Sequence, residues 1–330
     1  MKPLFMINNK TNIFDQQRKR VLVLGGAGFI GTHLCHRLLV EGKEVICVDN
    51  FATGQISNIE VLLTEDFFEF IEHDIINPFN IEGNIDEIYN LACPASPVQY
   101  QKDPIKTFKT SVVGSMNALE LARKKNSRIL LASTSEVYGD PKENPQSESY
   151  FGNVNPNGPR SCYDEGKRGA ETLFCDYNKI YDVDTRIVRI FNTYGPLMRE
   201  DDGRVVSTFI MNALKGKPLN INGDGSQTRS FLYIDDLIEA LVRMMNYEEC
   251  KAGIVNVGNT DEISINSLSK MILSLTNSSS KITYGTLPEN DPIRRRPDIT
   301  RAIMLLGGWQ PKISLNLGLT RTIDYFKTLM

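Results

Sequence analysis

The sequence predicts an α/β fold, a doubly wound parallel sheet followed by a smaller C-terminal α/β substrate-binding domain, and three observations predict it. Short β-branched and aliphatic runs alternate with longer apolar-periodic stretches through the first half of the chain. A glycine-rich turn separates the first such run from the first helix-like stretch. From about residue 193 the rhythm loosens into shorter pieces. Strands that alternate with helices pair in parallel and are covered on both faces, which is the doubly wound arrangement.

Taken in order, Arg20–Leu24 is an aliphatic run that ends in Gly25-Gly26-Ala27-Gly28-Phe29-Ile30-Gly31. Thr32–Val40 continues with helical periodicity and stops at Gly42, as a helix should. Glu44–Asp49 reads as the next strand, Glu87–Ala92 as another, and Lys106–Lys124 as a long helix. Arg128–Ser133 then gives a strand, Tyr163–Tyr181 a helix and Asp184–Phe191 a strand. Asn220–Gly225 carries a turn signal, and Asn277–Ser280 reads as a loop. The expected organisation is a leader over 1–18, a cofactor-binding domain over 19–192 and a mainly substrate-binding domain over 193–330. Some segments of the last are expected to return to the first.

The chain has 330 residues, 41% hydrophobic and 23% charged, enough for a sizeable core. A formal net charge of −3 gives no basic face of the kind nucleic acid requires. No apolar run approaches a membrane span, and the first residues lack the sustained apolar segment of a signal peptide. Six cysteines are scattered without a C-x-x-C pair, which fits a reduced, cytoplasmic setting. His33 and His36 could share a helix face, but no third ligand accompanies them, so no metal site is expected.

Gly26-x-Gly28-x-x-Gly31 lies between strand and helix, where glycines let the backbone approach a pyrophosphate at a helix N-terminus. Asp49 ends the second strand, where a carboxylate accepts hydrogen bonds from a ribose diol. This is the Rossmann dinucleotide fingerprint. Asn50, Phe51, Ala52 and Thr53 supply no cation for a 2′-phosphate, and Asp49 would repel one, so the cofactor is expected to be NAD.

Tyr163 and Lys167 stand four residues apart and share one helix face. With the glycine motif, this pair makes the chain resemble the extended short-chain dehydrogenase/reductase family of nucleotide-sugar enzymes. Gly25, Gly28 and Gly31 also fit that family's G-x-x-G-x-x-G. Seven collinear segments resemble its UDP-glucuronate decarboxylases: Leu91–Pro97, Ser133–Pro141, Arg160–Arg168, Arg189–Pro196, Asp202–Val206, Gly225–Phe231 and Asp291–Asp298. Two departures are visible. Ser111 stands where the family usually carries Asn, and Leu306-Gly307-Gly308-Trp309 has one glycine more than the usual Leu-Gly-Trp.

The resemblance implies decarboxylation of UDP-glucuronate to UDP-xylose through a UDP-4-keto pentose, with NAD recycled internally. Tyr163 is then the base for the C4 hydroxyl, Lys167 favours its phenolate and holds the nicotinamide ribose, and Thr134 bonds the C4 oxygen. A free phenol titrates near ~10, too high to act unaided at neutral pH. Ser135 and Glu136 stand where dehydratases of the same fold carry an acid pair, and one acid is missing here. Glu136 is expected near the departing carboxylate, and Arg295 at that carboxylate as a recognition and relay residue. Phe29, Ile30, Asn50, Ile75 and Leu91 complete the expected cofactor lining, with Asp74 at the adenine amine. Asn192, Arg204 and Arg229 are expected to hold the UDP moiety, and Pro94, Ser96 and Tyr100 to line the sugar pocket. The family's dimer would pair the Lys106–Lys124 and Tyr163–Tyr181 helices of two copies. Related outcomes remain open on sequence: 4-epimerisation, 4,6-dehydration, release of the 4-keto pentose or UDP-apiose, and a non-catalytic NAD sensor.

Overall fold

A computed structural model describes residues 18–248, 253–286 and 294–330. All but the last residue of the expected leader, together with Cys250 and Asp291–Ile293, lies outside the described residues. The strands β1 (Arg20–Leu24), β2 (Glu44–Asp49), β3 (Phe68–Glu72), β4 (Glu87–Asn90), β5 (Arg128–Thr134) and β6 (Thr185–Ile190) join one parallel sheet. Its order is β6-β5-β4-β1-β2-β3, with a seventh strand, Gly253–Val257, parallel to β6 at the far edge. The winding direction reverses between β1 and β4, and in such sheets the crevice at the carboxyl ends beside that reversal binds the ligand.

The two faces follow from the strand period. Val21 and Val23 of β1 point into one core with Leu34 and Leu38 of helix α1 (Phe29–Val40). Leu22 and Leu24 point into the other, with Leu119, Ala122, Ala170 and Phe174. All four β1 residues are fully buried, as a central parallel strand requires.

Several boundaries differ from the sequence reading. Helix α1 begins at Phe29, so Phe29, Ile30 and Gly31 already belong to its first turn. The expected Lys106–Lys124 helix starts at Pro104, capped by the Asp103 side chain, which accepts from the Lys106 N–H at 2.9 Å. It then widens into a π-helical turn over Thr110–Gly114 before resuming as Ser115–Lys125. Here Thr110 donates its hydroxyl to the Lys106 carbonyl, and Gly114 lies so close to Ile75 that a Cβ would fall 2.5 Å from its Cδ1. Asn220–Asn222 is not a turn but part of a strand, Leu219–Asn222, with Leu219 and Ile221 buried and both asparagines outward. The turn begins at Gly223. Edge strand β3 is absent from the sequence reading, and none of its residues is fully buried. The additional glycine falls in a turn where Gly307 and Gly308 both have positive φ, ahead of buried Trp309.

Buried His33 contacts the Pro196 carbonyl through Nε2 at 3.0 Å. Burial lowers its pKa from 6.5 to about 4, against the Pro196 hydrogen bond and helped by the nearby His36. Between those values the unfolded chain binds a proton that the folded chain refuses, so stability falls as pH drops from 6.5 toward 4. The penalty is on the order of 3 kcal/mol. His33→Gln should therefore flatten the fall of the thermal midpoint across that range, measured by calorimetry against wild type.

Candidate active site

A cleft of about 1050 Å³ runs along the carboxyl ends of the sheet, at the winding reversal. At one end lies the glycine turn. Gly25 has φ +80°, and a Cβ there would sit 2.9 Å from the Ala92 backbone. A Cβ on Gly31 would fall 2.2 Å from the Gly25 carbonyl oxygen. Side chains are thus excluded where helix α1 meets the turn, leaving Gly28, Phe29 and Ile30 on the cleft wall. Buried Asp49 also faces the cleft and accepts the Ala27 N–H at 3.0 Å and the Phe51 N–H at 2.8 Å. Burial raises its pKa, and those backbone donors only partly oppose the rise. A cradle closed to any Cβ, at a helix N-terminus and with a carboxylate at the end of β2, fits the pyrophosphate and ribose diol of NAD. Arg199 reaches the Thr53 carbonyl, but its guanidinium is held by Asp201 at 2.7 and 2.9 Å.

Asn50, Asp74, Ile75 and Leu91 line the same end. Asp74 accepts the Ile76 N–H and pairs with Lys106 at 3.0 Å. Burial raises its pKa, but Lys106 and the local hydrogen bonds outweigh that and hold it below the usual range.

The helix Ser161–Tyr181 puts Tyr163 and Lys167 on its cleft face. Both are buried. The Lys167 ammonium donates to the Ala132 carbonyl at 2.8 Å, which anchors it to the end of β5. Burial lowers its pKa, against the charges of Cys93 and Glu171. Burial likewise drives the Tyr163 phenol well above its ordinary value, aided by Cys93 and opposed by a hydrogen bond with Thr134. Lys167 therefore anchors the helix here, and the protein's own groups keep the phenol protonated. Thr134 also accepts the Glu136 N–H at 3.2 Å, starting the turn that carries Ser135 and Glu136.

Glu136 is partly buried between two arginines. Arg295 grips both its carboxylate oxygens, one through Nη1 and the other through Nη2 at 2.9 Å. Arg160, at the start of the Ser161–Tyr181 helix, pairs with Glu136 Oε2 at 2.7 Å. Burial alone would raise the Glu136 pKa, but Arg295, Arg160 and Arg229 outweigh it and hold the carboxyl well below the usual range. Arg295 stands in register beside Arg229 on parallel strands, so the C-terminal half delivers two guanidinium groups to this end of the cleft.

Asn192, Arg204, Pro94 and Ser96 line the remaining wall. Arg204 is held by Asp202 at 2.5 and 2.9 Å, and the buried Ser96 hydroxyl has no hydrogen-bond partner. Tyr100 corrects the sequence reading. It is not among the cleft-lining residues but stacks behind Tyr163, ring centroids 5.0 Å apart and planes 1° apart. Arg160 was missed, although it opens a segment singled out on sequence, because its partner lies on another element. Ser111 faces Cys93, Oγ to Sγ 3.2 Å, and packs against Gly166. Among the described residues no three His, Cys, Asp or Glu side chains converge to hold a metal, and no helix is long and apolar enough to cross a membrane.

Residues 21–258 match the model of the NAD dependent epimerase/dehydratase family. The chain is 50% identical over 313 residues to UDP-glucuronic acid decarboxylase 1 of Xenopus tropicalis, covering 95% of this chain and 73% of that one. It is 51% identical over 308 residues to UDP-glucuronic acid decarboxylase 4 of Arabidopsis thaliana, covering 93% and 68%. A solved UDP-glucuronic acid 4-epimerase from Bacillus cereus, in complex with UDP-glucuronic acid and NAD, superposes with a TM-score of 0.86 at 31% identity, covering 94% of this chain and all of that one. The glycine cradle, the Tyr163–Lys167 helix and these likenesses agree, and the chain belongs to the NAD dependent epimerase/dehydratase family.

Proposed function

We propose that this enzyme converts UDP-glucuronate to UDP-xylose and CO₂ through a UDP-4-keto pentose, and that the NAD it uses is regenerated within each turnover. The observation that carries the reading is the cationic end of the cleft, where Arg295 and Arg160 both reach Glu136. A sugar carboxylate is the substrate group that matches such a cluster, because a guanidinium fork complements a carboxylate. Relatives at about half identity carry the decarboxylase name.

A carboxylate leaves C5 readily only when C4 is a ketone, since the electron pair left on C5 then spreads onto the C4 oxygen. Bound NAD supplies the hydride acceptor for C4, a positive ring near the phenol, and the hydride that later restores the alcohol. Tyr163 acts as the phenolate that the positive charge of the bound cofactor would favour: it takes the C4 hydroxyl proton and gives it back at the end, with Thr134 on the same oxygen and Lys167 and Tyr100 fixing the phenol's position. Arg295 orients the carboxylate without holding it so tightly that the ground state is favoured. Glu136 delivers a proton to C5 after CO₂ departs. Asn192, Arg204 and Arg229 hold the diphosphate and uridine, and Pro94 and Ser96 flank the sugar. Thr134-Ser135-Glu136 has one acid where water elimination uses two.

The reading extends to a homodimer through the Pro104–Lys125 and Ser161–Tyr181 helices. Exposed Ile105, Phe108, Met116, Ile180 and Tyr181 on those helices support it. A reducing, cytoplasmic setting goes with it, supported by the free thiols of Cys35, Cys47, Cys93, Cys162 and Cys175.

Proton NMR of the protein with UDP-glucuronate and substoichiometric NAD⁺ tests the proposal. UDP-xylose is expected to accumulate well beyond the NAD⁺ added. A 4-keto pentose matched by NADH would remove the internal return step, and UDP-galacturonate would make the enzyme a 4-epimerase.

A further inference from the structure

The proposed reaction consumes one proton per turnover. The proton that Tyr163 removes from the C4 hydroxyl is returned to the same oxygen, so the hydrogen that ends on C5 must come from solvent. It must reach a carbon at the buried end of the cleft. A second cavity of about 180 Å³ adjoins this end, and Glu136 and Arg160 line both spaces. Asp164 lines only the side cavity, one helical turn beyond Arg160. Its carboxyl is buried, and Oδ1 has no hydrogen-bond partner.

We propose that Asp164 is the positioning carboxyl of a proton route that runs from the side cavity to Glu136 and on to C5. The inference rests on the decarboxylation proposed above. Each transfer balances. Neutral Asp164 passes its proton to the Glu136 carboxylate, directly or across a water in the side cavity. Glu136 protonates the C5 end of the enolate and is a carboxylate again. Asp164 then recovers a proton from solvent. The first transfer becomes favourable when the substrate carboxylate competes for Arg295, because Glu136 then loses one of the charges that keep it ionised.

The electrostatics of the two acids are suited to this division. Burial raises the Asp164 pKa to about 7, the Glu136 charge adding to the rise and Arg160 and Arg295 opposing it. Glu136 is pushed the other way by its arginines, so of the two acids Asp164 is the one that binds a proton more readily. The groups facing Asp164 are Glu136 after β5, Arg160, Cys162, Tyr163 and Glu165 on its own helix, Arg295 from the C-terminal half and the Tyr100 hydroxyl. Asp140 stands across the side cavity.

The test compares wild type, Asp164→Asn and Asp164→Glu with UDP-glucuronate and NAD⁺ from pH 5.5 to 9, in H₂O and D₂O. Wild-type kcat should fall as pH rises through about 7. Asp164→Asn should lose about tenfold or more in kcat with KM unchanged, lose that alkaline limb and show a larger solvent isotope effect. Asp164→Glu should restore the limb and much of the rate. Wild-type turnover with an Asn variant of equal kcat and equal pH profile overturns the relay alone. So does a loss in the Asn variant that appears mainly in KM and that Glu does not repair, since that is a packing effect. Absence of UDP-xylose from wild type overturns the decarboxylation and the relay together.

Discussion

Tyr163→Phe is expected to lower kcat for UDP-glucuronate by about 10²- to 10⁴-fold, the usual worth of a positioned acid–base group, while NAD⁺ still binds. The ring would keep its stack on Tyr100 and its place beside Lys167, so only the oxygen is lost. Fluorescence titration of NAD⁺ and single-turnover NADH formation separate the two effects. A variant that binds NAD⁺ normally but forms no NADH places the loss in the first chemical step. Normal turnover would remove Tyr163 from the chemistry and leave a sensor role open. In the wild type the phenol is buried and its pKa raised, so the protein's own groups do not create a standing phenolate.

Gly31→Ala is expected to be the most damaging small change at the cofactor end. The added Cβ would meet the Gly25 carbonyl at 2.2 Å and the Gly26 backbone at 2.6 and 2.9 Å, with no flexible side chain to yield. Either α1 moves off the turn or the turn opens. Overpacking of this kind costs about 1–3 kcal/mol, and because it falls on the pyrophosphate cradle it should weaken NAD⁺ binding by roughly 5- to 150-fold. Calorimetric titration measures it. Unchanged affinity would mean that the dinucleotide does not rest on this turn.

The first β-α-β unit was legible because its signals are local: an aliphatic run, three glycines, a helical period and a terminal Asp, all between Arg20 and Asp49. Tyr163 and Lys167 were legible because helical spacing puts them on one face and the glycine motif upstream gives that face a meaning. Long-range partnership was not. Arg160 and Glu136 are separated in sequence and become an ion pair only when the helix docks against the turn after β5. The resemblance implied Arg295 at the substrate's carboxylate, but not its grip on Glu136. The π-helical turn left no trace because one extra residue in a single turn is too brief to disturb a periodic pattern. Tyr100 was assigned to the sugar pocket because its segment lies there, but its own ring turns inward. The asparagines of Leu219–Asn222 imitated a turn, although the strand's alternation shows once Leu219 is included.

The seventh strand bears on how such a chain is made. Gly253–Val257 pairs with Arg186–Ile190 of β6, so the cofactor-binding sheet borrows its last member from the other half of the sequence. A nascent chain that has passed residue 192 has the glycine motif and the Tyr163–Lys167 helix, yet it still exposes the unpaired parallel edge of β6. Such an edge invites pairing with other chains. Severing the protein at its apparent domain boundary therefore yields an adhesive fragment, not a portable NAD module, and the two halves must be matched as one folding unit in any chimera.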